Sequence, residues 1–355
     1  MKRLIILTDE NLQFLISIPD LKNYVSMDID KIINYFSVRD YSVVVQKFSS
    51  LDLAADFTGV YIIYQTSETP GSFYKRYIED LVFSLEQKGA VVMPNYQLLK
   101  AHHNKILMEM MRSAFNDNAL RTCESKCYGS WVDAMNYNLT FPAVVKQSSS
   151  SGSAGVFLAT NRKKYERIIK RAGRVIIGQS VRGIFIQYIK ISLKKLIKYL
   201  QPSKSRFLEF NTAPVSTSII VQPFIEGLHG DYKVLIFGSK YYTLYRQNRK
   251  NDFRASGSGK FYDVPLEEHE GLLNFARKIT GEIDFPIFGM DIAFDTKEYH
   301  LLEFQVIHLG TPPLQRSKYW HEYHDGKWVK YDGASDLEEE FSRSIHEYIN
   351  LKYQH

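Results

Sequence analysis

Gly230-Asp-Tyr-Lys-Val-Leu-Ile-Phe-Gly238, continued by Ser239-Lys-Tyr-Tyr-Thr-Leu-Tyr-Arg246-Gln247 and then by Asp252-Phe-Arg254-Ala-Ser256, is the most informative stretch of this chain. Tyr232–Phe237 and Tyr241–Gln247 read as strands joined by a short turn, which makes them antiparallel neighbours. Outward from this pair the pattern holds. Ile219–Phe224 reads as a strand, and so do Gly289–Phe294 and Tyr299–Phe304, with Asp295-Thr-Lys-Glu298 between the last two. A charged helix from Asp336 to about Leu351 follows.

The first hundred residues obey another rhythm. Arg3–Leu7, Ser42–Phe48, Gly59–Tyr64 and Ala90–Met93 read as strands, with a helix at Asp28–Phe36 and another opened by Thr69-Pro70 and running to about Lys88. Strands spaced by helices argue for βαβ units and an open parallel sheet. Ligands bind beyond the carboxyl ends of such strands, so Tyr64, Gln65, Thr66 and Ser67 are candidate substrate contacts. The competing reading is that these residues only cap and turn. Between the two regions lie a helix at His103–Phe115, strands at Phe141–Lys146 and Val156–Thr160, and a basic helix to about Ala172. The chain therefore reads as α/β (α+β), with domains at 1–100, 101–217 and 218–355.

Composition narrows the function classes. In 355 residues, 45% are hydrophobic and 24% charged, which excludes a disordered or collagen-like chain. The run Leu4–Leu7 is closed by Thr8-Asp9-Glu10, too soon for a signal peptide or a membrane span, and the expected location is cytoplasmic. Cys123 and Cys127 cannot make a disulfide framework and read as reduced thiols. The net charge of +6 hides a block at Asn161–Arg206, where fourteen Lys/Arg face the single acid Glu166. Within it, Phe185, Ile189, Leu193, Leu196, Ile197 and Leu200 recur at helical spacing opposite Lys190, Lys194, Lys195 and Lys198. This amphipathic helix, 184–200, is either an ordinary surface helix or a partner or membrane-surface helix, and the basic block suits an acidic partner, whether nucleic acid, anionic lipid head groups or an acidic polymer.

Two tempting motifs fail. Gly257-Ser-Gly259-Lys260 lacks the glycine that a P-loop needs where Arg254 stands, and the hydroxyl residue where Phe261 stands. His321-Glu-Tyr-His324 spaces its histidines by three, not by the four that a helical zinc site requires. Two other features suit nucleotide chemistry. Phe141-Pro-Ala-Val-Val-Lys146 ends a strand in a cation, just before the Ser/Gly loop 147–155, whose backbone N–H groups could close over phosphate; a plain linker is the alternative. Asp291 and Glu303 place an acid on each of two adjacent apolar strands without a basic partner in either strand. Magnesium would relieve the cost of burying such a pair, and Gln305 would add an amide oxygen on the same face. An acid pair at a sheet edge in water is the bland alternative.

Taken in order, these features resemble the ATP-grasp superfamily of carboxylate–amine ligases, nearest to the RimK-like amino-acid ligases and more distantly to D-alanine–D-alanine ligase. The run from Gly230 to Ser256 is similar to the RimK-like G-x-D-I-R, R-R and D-F-R-S-N. Val-Val-Lys146 with its Ser/Gly loop, Val221-Gln222-Pro-Phe-Ile225-Glu226, Gly-Met-Asp291 and Leu-Glu303-Phe-Gln305 fall in family order. The likeness covers roughly Lys105 to Gly310 and implies an N-terminal parallel βαβ domain followed by an ATP-grasp fold whose two α+β subdomains clamp ATP.

Carried over residue by residue, the resemblance implies that Lys105 and Lys146 hold ATP phosphates under a lid containing Ser151, Gly152 and Gly155. The hinge at Gln222, Pro223 and Ile225 would meet adenine through backbone atoms. Asp231 would bind ribose, and Met290 and Leu302 would pack on the base. Asp291, Glu303 and Gln305 would hold one or two Mg²⁺ ions, with Mn²⁺ as a substitute. Arg246 and Arg254 would neutralise the transferring phosphoryl group and the substrate carboxylate. Glutamine at 305 departs from the usual asparagine, and Val306-Ile-His308-Leu-Gly310 departs from the usual substrate turn, leaving His308 as a candidate acceptor contact. Residues 175–216 form an insertion.

The implied activity is ATP-dependent joining of a carboxylate, free or polymer-linked, to an amine. A small-molecule kinase and a non-catalytic module binding nucleotide or acidic polymer are the competing readings. A second copy of the chain is a further candidate partner.

Overall fold

The computed structural model describes residues 1–18, 23–66, 73–121, 125–136, 138–148, 155–172, 218–250, 252–255 and 258–353. Two compact units emerge, one from Met1–Cys123 with Ile225–His355, the other from Glu124–Phe224. The expected helix 184–200 and insertion 175–216, together with Ser67, Thr69-Pro70, Ser151 and Gly152, lie outside the described residues.

The chain begins with strand β1 (Lys2–Thr8), the hairpin β2 (Leu15–Ile18) and β3 (Asn23–Ser26), helix α1 (Ile29–Ser37) and strand β4 (Tyr41–Lys47). Next come β5 (Tyr61–Tyr64), α2 (Phe73–Gln87), β6 (Val91–Met93), α3 (Tyr96–Ala101) and α4 (Lys105–Ser113). The sheet order β4-β1-β5-β6 is parallel throughout. Leu4, Ile6, Leu7, Ile62 and Ile63 are fully buried, as expected of parallel strands covered on both faces. Asp28 caps α1 by accepting the Lys31 N–H, and Ile32 and Phe36 turn inward. The helix expected over His103–Phe115 is α4, trimmed at both ends, and a further short helix, α3, precedes it; His103 at φ +57° separates the two, and Asn104 caps α4.

The Glu124–Phe224 unit contains β7 (Lys126–Tyr128), α5 (Trp131–Met135), β8 (Ala143–Gln147), β9 (Val156–Ala159), α6 (Arg162–Ala172) and β10 (Ile219–Pro223). Its antiparallel sheet runs β7-β10-β8-β9. Although α6 is strongly basic, it buries Tyr165 and Ile169 in one apolar cluster with Val145, Ile219 and Val221.

Residues 225–355 add β11 (Gly230–Phe237), β12 (Lys240–Gln247), β13 (Phe261–Tyr262), α7 (Leu266–Thr280), β14 (Ile287–Phe294), β15 (Tyr299–Gln305), α8 (Pro312–Arg316), β16 (Tyr319–His324), β17 (Lys327–Asp332) and α9 (Leu337–Tyr353). The antiparallel sheet is ordered β15-β14-β11-β12-β16-β17, with β13 also on β12. Gly230 opens β11 where a Cβ would strike the Arg246 carbonyl and the Tyr245 ring, so no larger residue fits there. His321 and His324 fall on a strand, where the first is buried and the second exposed. No helix among the described residues is long and apolar enough to cross a membrane.

Candidate active site

Strand register assembles the site of the larger unit. Lys233 on β11 is directly opposite Asp291 on β14, and Asp291 is opposite Glu303 on β15. Asp231, two residues before Lys233, is opposite Arg246 on β12. Side chains opposite one another, or two apart, share a face, so these five residues gather on one side of the sheet. A register shift helps. The pairing steps from Ile292↔Leu301 to Asp291↔Glu303, leaving Leu302 as the extra residue of a bulge. Without that extra residue, alternation would turn Glu303 away from Asp291.

Each acid has a cation. Arg246 grips Asp231 bidentately, Nε to Oδ1 at 2.8 Å and an Nη to Oδ2 at 2.6 Å, and the same Nη reaches Asp291 Oδ2 at 2.8 Å. Lys233 Nζ lies 3.4 Å from Asp291 Oδ1, and Lys105 Nζ on α4 lies 2.5 Å from Glu303 Oε1. The acids that lack partners within their own strands thus find them on neighbouring elements. Burial pushes the Asp231 carboxyl up, to about 6, despite the guanidinium. Burial also works to raise Asp291, but Arg246 and Lys233 outweigh it and hold that carboxyl well below its ordinary range. Arg254, on the loop after β12, forks onto Asp252 with its Nε at 2.9 Å and an Nη at 2.7 Å.

Other expected residues are more scattered. Met290 is sealed in the core between Val234 and Phe304, its strand neighbours. Leu302 and Gln305 are half-buried, as is Ile225. In the Glu124–Phe224 unit, Lys146 sits on β8 between Ile220 and Val156, and Gly155 accepts the Gln147 N–H at 2.9 Å. Pro223 is exposed, whereas Gln222 is buried and its Oε1 has no hydrogen-bond partner among the described residues.

The parallel sheet's carboxyl edge holds a separate polar knot. His308, at φ +49°, donates Nε2–H to the Thr66 carbonyl at 2.7 Å, and its backbone N–H reaches Gln65 Oε1 at 3.3 Å. Tyr64, expected as a contact, is instead core, with its hydroxyl spent on the Pro94 carbonyl at 2.8 Å.

Asp291, Glu303 and Gln305 offer hard oxygen donors on one face, and the cationic partners of the two acids show that positive charge is accommodated there. This donor set fits Mg²⁺. A second cluster, Asp295, Glu298 and His300, is a turn lock: Asp295 already accepts the Lys297 and Glu298 N–H groups at 2.9 Å and His300 at 3.0 Å.

No protein-family profile matches the sequence, and no curated protein does. Solved structures do. D-cycloserine synthetase DcsG aligns over 97% of this chain and 99% of its own at a TM-score of 0.51 and 11% identity. The purK N5-carboxyaminoimidazole ribonucleotide synthetase, solved as its ADP complex, aligns over 90% and 73% at 0.51 and 10% identity. A RimK domain ATP-grasp protein from Sphaerobacter thermophilus DSM 20745 aligns over 86% and 91% at 0.46 and 11% identity.

Proposed function

From an ATP-grasp fold whose sheet carries two facing acids among three cations, we propose that this chain is an ATP-dependent carboxylate–amine ligase. The row Lys233, Asp291, Glu303, flanked by Arg246 and Lys105, is the observation that supports it most directly. Two acids could hold a divalent cation while the cations meet phosphate, the division of labour that phosphoryl transfer needs.

A substrate carboxylate oxygen attacks the γ-phosphorus of ATP, the bond to the β–γ bridging oxygen breaks, and ADP leaves. The acyl phosphate is then attacked at carbon by an amine, which loses a proton as phosphate departs and the amide forms. Lys105 and Lys146 bind phosphate oxygens, and Gln222 and the backbone at Pro223 and Ile225 receive adenine. Arg246 and Arg254 face the charge that spreads over the transferring group. Mg²⁺ held by Asp291, Glu303 and Gln305 would neutralise the β- and γ-phosphates. The test screens amino acids and other carboxylates for Mg²⁺-dependent ADP release in hydroxylamine. A hydroxamate is expected with the true acid; ADP release with a stable phosphate ester and no hydroxamate would refute the ligase reading.

A further inference from the structure

Strand β17 ends the larger antiparallel sheet, on the far side of β16 from β12. The paired acids and cations of that sheet stand on β11, β12, β14 and β15, and the hairpin β16–β17 carries the sheet on past them. Its turn tells which backbone groups are free. Asp325-Gly326 is a two-residue connection, so His324 and Lys327 exchange backbone hydrogen bonds, as does every second pair after them. The Gly333 N–H, donating to the Lys318 carbonyl at 2.7 Å, continues the same series. Lys327, Val329 and Tyr331 therefore spend their backbone groups on β16. Trp328, Lys330 and Asp332 point theirs the other way, where no strand pairs with β17 among the described residues. The side chains there are open to solvent, Lys330 at 51% and Asp332 at 81%.

An edge of this kind is a template for another strand, and proteins usually guard it with charge of one sign. Here the signs alternate. Lys330 and Asp332 share a face, with Nζ 3.3 Å from Oδ1. We infer that β17 pairs with β17 of a second copy of this chain, antiparallel about a two-fold axis at Tyr331, joining two sheets into one. Outward backbone groups must meet outward groups, so the axis passes through a residue and not between two. An axis at Lys330 would set that lysine against itself. At Val329 it would leave both Asp332 side chains without a cation. At Tyr331 it sets Lys330 opposite the partner's Asp332 and Asp332 opposite the partner's Lys330. Each lysine then lies between its own aspartate and the partner's, in a closed ring of alternating charge. On the other face Tyr331 meets the partner's Tyr331 and prolongs the stack it already makes with Trp320, whose ring lies 5.9 Å away at 15°. Val329 falls opposite the partner's Gly333, which brings no side chain.

Sedimentation velocity of the full-length chain over a micromolar concentration series tests this. A concentration-dependent dimer is expected. Lys330→Asp and Asp332→Lys should each weaken association about tenfold or more, since each sets like charges opposite one another on both sides of the axis. The double variant Lys330→Asp/Asp332→Lys restores the alternation and should recover the dimer, which a merely misfolded variant would not do. Tyr331→Cys places two thiols at the axis, where partners outside the hydrogen-bonded pairs have Cα atoms about 4.5 Å apart, within disulfide reach. Oxidation should link the two copies of that variant, whereas the parent chain, with Cys123 and Cys127, should not form the link. A single monomeric species throughout the series overturns the inference. So does a dimer that survives the single reversals, one that the double variant fails to recover, or a Tyr331→Cys chain that stays unlinked.

Discussion

Asp291 and Glu303 face each other across β14 and β15, yet each is neutralised from a different element: Asp291 by Lys233 and Arg246 in the sheet, Glu303 by Lys105 at the start of α4. In a sheet, like charges directly opposite repel, and this pair is tolerable only because cations flank it. With Asp231, which shares Arg246, the three acids and three cations sum to no net charge.

Removal of Glu303 follows first. Glu303→Ala should abolish Mg²⁺-dependent ADP release, since one carboxylate cannot hold the ion, and it leaves Lys105, whose side chain is 13% exposed, without its partner. Far-ultraviolet circular dichroism should show the fold retained. Wild-type turnover in this variant would remove Glu303 from the metal-binding set.

Asp231 behaves differently because it is buried with its partner. Asp231→Ala leaves Arg246 without its fork in a site where both side chains are 8% exposed, and breaking a buried pair of this kind costs about 3–5 kcal/mol. Urea denaturation should show a loss of that order. A change below about 1 kcal/mol would mean that the pair is solvated in solution. Burial of Asp231 behind Arg246 also bears on its expected ribose role: a sugar hydroxyl would have to share a carboxylate whose two oxygens already accept from the guanidinium.

In the Glu124–Phe224 unit, Lys146→Met should weaken nucleotide binding as well as rate, because the lysine's proposed partner is a ground-state phosphate. Calorimetry with Mg·ADP checks this. Unchanged affinity would make the loop after β8 a linker.

The sheets were legible to different degrees, for physical reasons. Leu4–Leu7 and Tyr61–Tyr64 announce buried parallel strands by unbroken apolar runs, and Gly238 announces the β11–β12 turn. The hairpin β16–β17 carries Asp325-Gly326 between two aromatic runs, and both residues take positive φ, so a signal existed for an element the strand reading passed over. Helix α7 had weaker punctuation: Pro265 precedes it, acids open it and Arg277-Lys278 close it, but Gly271 interrupts its middle. Lys233 was invisible as a partner of Asp291 because their pairing joins strands far apart in sequence, and no local pattern encodes register between them.

A pH dependence follows from His321. Burial, with the nearby His269 and Lys330 adding to it, lowers its imidazole from the ordinary 6.5 to about 4, and Lys330 is directly opposite it on β17. The folded chain therefore keeps this ring neutral where the unfolded chain protonates it. Its stabilising share is complete above pH 6.5 and is lost as the pH falls towards 4. Asp231, raised to about 6, works in the opposite sense, gaining stability as the pH falls through 6. The difference in urea stability between the chain and His321→Leu isolates the histidine: it should shrink between pH 7 and 4.5. A constant difference would mean that His321 titrates normally.

Arg254 separates chemistry from nucleotide binding. Its guanidinium is held by Asp252 two residues earlier, through two fork bonds that fix its plane, yet its side chain remains 28% exposed. A donor already oriented and still reachable is suited to charge that develops only as the phosphoryl group moves, because little reorganisation remains to be made at that moment. Arg254→Ala should therefore lower kcat by about 10²–10³-fold with little change in ADP affinity. Arg254→Lys should recover only part of the rate, since it keeps the charge and loses the fork. Asp252→Asn should fall between them, because it leaves the guanidinium charged but free to turn. Near-normal kcat in Arg254→Ala, or a defect wholly in ADP affinity, would exclude Arg254 from the transferring phosphoryl group, and the role would pass to Arg246 alone.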